Sequence, residues 1–103
     1  MARPRTSGSF DQRAAVFKAL GEPTRLRIVD FLQRREGEAT GTEVAEHAGI
    51  SLALLCHHVD ALIESGIVRK RKVGQTSYWT LDRTVLAAAF KTLRHSTHAS
   101  LES

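Results

Sequence analysis

Apolar residues recur at helical spacing through the first two thirds of the chain and then switch to a strand-like rhythm. Phe10, Ala14, Phe17 and Leu20 fall on one face of a helix that Gly21 breaks. Pro23 opens a second helix, where its missing N–H costs little, and Leu26, Ile28, Val29 and Leu32 continue it. Arg34 to Ala39 reads as a polar connector. Thr40 and Glu43 have the spacing of a capping box, which heads a short third helix bearing Val44, Ala45 and Ala48 and stopped by Gly49. Ile50 and Ser51 make a tight turn. Ser51 can cap a fourth helix, with Leu52, Leu55, Val59, Leu62 and Ile63 on one face and Gly66 at its end.

Ile67 to Val73 and Thr76 to Leu81 then flank Gly74-Gln75. Both flanks are rich in β-branched, aromatic and basic residues, as in a β-hairpin. Asp82 can cap a last helix whose apolar stripe is Val85, Leu86, Ala89, Phe90 and Leu93. The fold class expected is mostly α with a β-hairpin wing: a winged helix-turn-helix of about five helices spanning 10–98. Residues 1–9 are expected to form a flexible N-terminal arm and 99–103 a frayed end.

The winged core is complete from Pro23 to Leu81, so the first and last helices have little left to cover in a monomer. Their stripes fit a homodimer, which would place two recognition helices about 34 Å apart on a duplex. The charge pattern agrees with a DNA partner. Lys and Arg number 15 against 11 Asp and Glu in 103 residues, a net charge of +4 with a pI near 9.8. Four cations, Arg69 to Lys72, run unbroken along the hairpin. Such a run also guards an edge strand against aggregation. Beside a helix with a small, polar N-terminal end, contact with phosphates is the better reading. The residues expected at DNA are Ser51, Leu52, Ala53, Leu54, Cys56 and His57 on the fourth helix, and Arg69, Arg71, Lys72, Gln75 and Thr76 on the wing.

Cys56 is the only cysteine, so no internal disulfide forms, and no apolar run approaches the roughly 18 residues of a membrane span. A cytoplasmic protein is expected, with no membrane partner. No glycine-rich phosphate loop or nucleophile–base arrangement stands out, since neighbouring helical residues such as Cys56 and His57 point apart, and an enzyme is not expected.

The sequence resembles the ArsR/SmtB family of winged-helix repressors. The resemblance rests on Phe17 to Ile28, with its Ala-Leu, short acidic break and Pro-Thr-Arg-Leu, on Ser51 to Leu62, and on the wing from Gly66 to Leu81. It implies a homodimeric regulator of a palindromic operator, released from DNA by a metal, a metalloid or an oxidant. The third helix, Thr42-Glu43-Val44-Ala45-Glu46-His47, lacks the cysteine pair of many relatives, which excludes a thiolate site there and leaves His47 as a surface residue. Some relatives bind zinc on the last helix through Asp-x-His and a later His-x-x-His. Here Asp82, His95 and His98 stand at that spacing and Thr84 replaces one histidine. Asp82 precedes His95 by 13 residues, roughly 20 Å of helix, so zinc would have to bridge two antiparallel copies at the dimer interface. The plainer reading, a capping aspartate and two exposed histidines, is favoured because threonine is a poor zinc ligand. Cys56 occupies a place where relatives usually carry serine. A small residue beside DNA is the favoured account, with a redox switch as its alternative. A winged helix that docks an acidic protein, and a repressor without an inducer, are the remaining alternatives.

Overall fold

The computed structural model describes residues 10–91. The expected arm over 1–9, the end over 99–103, Leu93, and the candidate ligands His95 and His98 lie outside the described residues. The elements are α1 (Phe10–Leu20), α2 (Pro23–Arg34), β1 (Ala39–Thr40), α3 (Gly41–Ala48), α4 (Leu52–Ser65), β2 (Val68–Val73) and β3 (Thr76–Leu81). A further helix, α5, is described over 83–91.

Local chemistry sets the boundaries. Glu22 accepts the Arg25 N–H at 3.1 Å and caps α2, with Pro23 in the first turn. The capping box at α3 is formed in both directions, Thr40 Oγ1 accepting from the Glu43 N–H and Glu43 Oε1 accepting from the Thr40 N–H. Gly49 and Gly66 end α3 and α4 in the left-handed region, where a Cβ would be strained. Ser51 Oγ accepts the Leu54 N–H at 3.1 Å and starts α4.

The strands pair in the order β1-β3-β2, all antiparallel. Val73 pairs with Thr76, so Gly74-Gln75 is a two-residue turn, with Gly74 at φ 59°. The β1 strand corrects the expectation of a wholly polar connector. Ala39 faces Trp79 across the ladder and is fully buried, and two residues carry too little periodicity to be read as a strand.

The core gathers Val16 and Leu20 of α1, Ile28 and Leu32 of α2, Val44 of α3, Leu55, Val59 and Leu62 of α4, Ile67 and Val68, Trp79, and Ala89 of α5. The structure shifts some of the expected stripes. In α1 the core face is Val16, Ala19 and Leu20, while Ala14 is exposed and Phe10 is 82% exposed. Leu26 and Leu52 are exposed too, at 51% and 52%. Leu26 and Leu52 lie in the first turn of their helices and are only partly covered, Leu52 by Gly41 of α3, whereas the exposure of Phe10 agrees with a stripe that has little to cover in the monomer.

Cross-links hold the layers. Gln12 Nε2 donates to the Ser65 carbonyl, joining α1 to the end of α4. Arg83 donates to the Gln33 carbonyl at 2.6 Å, placing a cation at the C-terminal end of α2, where it also suits the helix dipole. Gly66 sits where a Cβ would come 2.7 Å from Gln12 Nε2, at φ 92°. Gly66→Ala should therefore cost about 1–2 kcal/mol through the left-handed backbone alone, seen as a lower midpoint in chemical denaturation. An unchanged midpoint would show that this turn has another conformation open to it.

Candidate nucleic-acid interface

The fourth helix is two-sided. Leu55, Val59 and Leu62 are buried at 0–1% exposure, and from them α4 is anchored to the core. Ser51, Leu52, Ala53, Leu54, Cys56 and His57 are all exposed, so the structure places every α4 residue expected at DNA on uncovered surface. Together, α3, the turn through Gly49 to Ser51, and α4 form the helix-turn-helix, with α4 second and free at its N-terminal turn.

Behind that surface His58 is half-buried. The Arg25 Nε donates to His58 Nδ1 at 3.3 Å, and Glu22 Oε2 lies 3.5 Å from the same nitrogen. This contact joins the first turn of α2 to the middle of α4. The Cys56 thiol is exposed, and His57 and His58 meet edge to face at 5.6 Å. His47, expected at the surface, is there, stacked on Phe31 at 4.5 Å.

The wing divides its four cations into two pairs. Strand alternation puts Arg69 and Arg71 on one face and Lys70 and Lys72 on the other. Arg69 donates from Nε and Nη2 to Asp82 Oδ2. Arg71 makes a two-pronged contact with Glu38 at 2.8 and 2.6 Å and lies 4.9 Å from the Tyr78 ring centroid. Lys70 and Lys72 are exposed and have no partner among the described residues. Gln75 and Thr76 are exposed at the tip. Of the three cations expected at DNA, only Lys72 is free in this way, and Lys70 joins it. Sequence reasoning missed the two carboxylates because Glu38 and Asp82 lie 33 and 13 residues from their arginines. Alternation along β2 was the available signal that Lys70 and Lys72 share a side.

The Asp82 carboxylate has full employment. Its Oδ1 accepts the Thr84 and Val85 N–H groups at 3.1 Å, capping α5, and its Oδ2 takes Arg69. Burial alone would push this carboxyl up. The Val85 N–H, the Arg69 guanidinium and the Thr84 N–H outweigh burial and hold it below its ordinary 3.8. A zinc ion bound through Asp82 would have to displace these donors. No group of three or more metal-ligating side chains stands together among the described residues.

A small helical domain with a helix-turn-helix, an uncovered second helix and a basic two-stranded wing is a winged helix-turn-helix DNA-binding protein. The comparisons with known proteins specify it further. Residues 20–71 match a helix-turn-helix domain family. The chain is 38% identical to the transcriptional repressor SdpR of Bacillus subtilis over 71 residues, covering 69% of this chain and 77% of that one. An ArsR-like transcriptional regulator from a Rhodococcus species superposes with a TM-score of 0.77 at 25% identity, over 92% of this chain and 88% of that chain. A homodimeric winged helix-turn-helix DNA-binding domain from Mycobacterium bovis superposes with a TM-score of 0.68 at 27% identity, over 96% of this chain and 94% of that chain. The chain belongs to the ArsR/SmtB family of winged helix-turn-helix transcriptional regulators. No helix among the described residues is long and apolar enough to cross a membrane.

The Glu38–Arg71 contact has a definite pH signature. The Arg71 hydrogen bonds, with the charge of Arg71 behind them, hold the Glu38 carboxyl below its ordinary 4.5. A lowered carboxyl pKa stabilises the folded form above the ordinary value, and the contribution fades as pH falls through the folded one. Carbon-detected NMR should find the Glu38 carboxyl titrating below 4.5 in the wild type and returning toward it in Arg71→Ala. The same midpoint in both proteins would mean that the pair is open in solution.

Proposed function

We propose that the chain represses transcription as a symmetric homodimer bound to a palindromic duplex operator, with α4 in the major groove and the wing on neighbouring phosphates. The observation that carries this reading is the two-sidedness of α4, anchored by Leu55, Val59 and Leu62 and uncovered over Ser51 to Leu54, Cys56 and His57. Only an element that meets another molecule has reason to hold so many small and apolar residues in water at its leading turn.

The dimer reading has its own support. Phe10 is 82% exposed and Phe90 48% exposed, and Phe17 meets Phe90 edge to face at 5.4 Å. The open faces of α1 and α5 thus meet at Phe17 and Phe90, with Phe10, under the Arg13 guanidinium, two turns before Phe17. The Mycobacterium bovis neighbour is described as homodimeric, and SdpR as a repressor, in keeping with this assignment. For release from DNA, the exposed Cys56 thiol offers an oxidant direct access to the DNA-facing side of α4, whereas a zinc signal through Asp82, His95 and His98 must first compete with Arg69.

Fluorescence anisotropy on a duplex from the chain's own promoter, read over a salt series, tests the DNA face. Lys70→Ala with Lys72→Ala should weaken binding and flatten the salt dependence by about two slope units, one for each lost phosphate contact. Arg71→Ala should change the slope far less, because Glu38 already holds that guanidinium. A slope unaltered by the double lysine variant would favour a wing that docks an acidic protein.

Phe90→Asp should abolish the dimer. A carboxylate in the apolar patch is costly once buried, and sedimentation should show monomer or unfolded chain. A variant that remains a tight dimer would remove α5 from the interface.

A further inference from the structure

We propose that α4 reads its operator in part through the C5-methyl groups of thymine, with Leu54 as a specificity-determining residue. This rests on the DNA-binding reading above and adds what is recognised. The uncovered surface from the cap through the second turn comprises Ser51, Leu52, Ala53, Leu54, Cys56 and His57. It contains no Arg, Lys, Asn or Gln, the side chains that make two-pronged hydrogen bonds to guanine and adenine in the major groove. The Ser51 hydroxyl oxygen accepts the Leu54 N–H, which ties its side chain to the cap and leaves the O–H to donate to a phosphate. Beside the His57 ring and the Cys56 thiol, what this end of the helix offers a base edge is apolar: Leu54 at 44% exposure, with Ala53 next to it. The one apolar group that a base pair presents in the major groove is the thymine methyl.

The arrangement favours a groove over a protein. A helix docked in a protein groove presents apolar anchors at i, i+3, i+4 and i+7 along one side. Here Leu52, Ala53 and Leu54 are consecutive, each turned about 100° from the last, so they form no stripe: Leu52 leans toward Gly41 of α3 and Leu54 lies on the opposite flank. Further along the exposed side stand His57, Asp60 and Glu64, which interrupt any stripe. Lys70 and Lys72, without a side-chain partner among the described residues, lie on the adjoining wing, and the chain carries +4 overall, which suits a polyanion.

Deoxyuridine differs from thymidine only by that methyl and keeps every hydrogen bond and charge. Selection of the wild-type protein against random-sequence duplexes, followed by replacement of each thymine in the enriched duplex by deoxyuridine, therefore isolates the contact. Each contacted thymine should contribute about fourfold in affinity, the worth of one buried methyl. Leu54→Gln should lose the preference at one thymine per half-site while keeping the wild-type salt slope. An enriched, salt-dependent duplex that binds equally well with deoxyuridine throughout would overturn methyl reading and leave DNA binding standing. Failure to enrich any duplex, with no salt-dependent binding, would overturn both.

Discussion

Trp79 lies where three elements converge. It stands opposite Ala39 on β1 and Lys70 on β2, and its ring runs against the first residue of α3. A Cβ on Gly41 would come 3.3 Å from the indole, so glycine at that position lets the helix backbone approach the ring. The residue is 2% exposed. Burying such a ring is worth about 4–6 kcal/mol at ~25 cal/mol per Å². Its Nε1 has no hydrogen-bond partner among the described residues, a cost of about 1–3 kcal/mol, so packing decides the balance. This contact seats the sheet against α3, together with β1, which runs directly into that helix, and with Ile67 and Val68, which share the core of α4.

Most of the fold was legible because local chemistry and helical period agreed. Thr40 with Glu43, Ser51, Gly49, Gly66 and the Gly74-Gln75 turn each announce a boundary that the structure keeps. Tertiary arrangement decided what these signals could not. Strand β1 exists because Ala39 finds Trp79, 40 residues away, and nothing in its own two residues requires a strand. Leu52 has the period of a core residue and the position of a surface one, since the helix-turn-helix exposes its leading turn.

The interface was legible in outline and not in its electrostatics. The sequence shows a block of four cations, which invites four phosphate contacts. The fold spends two of them internally, on Glu38 and Asp82, and these pairs hold the wing instead of extending its charge. Arg71 is further seated on Tyr78, its cross-strand neighbour. Exposed pairs of this kind contribute little to global stability. Their effect is directional: they fix the two arginine side chains on one face, while the pleat puts Lys70 and Lys72 on the other.

Asp82 gives the molecule a mechanical joint. One oxygen grips the first turn of α5, whose Phe90 belongs to the exposed apolar patch, and the other grips Arg69 on the wing. The helix start and the strand therefore share a single carboxylate. A rotation of α5 would act on the Arg69 contact through it. By reciprocity, a ligand that tilts α5 and alters DNA affinity through this joint will find its own affinity altered by DNA to the same degree.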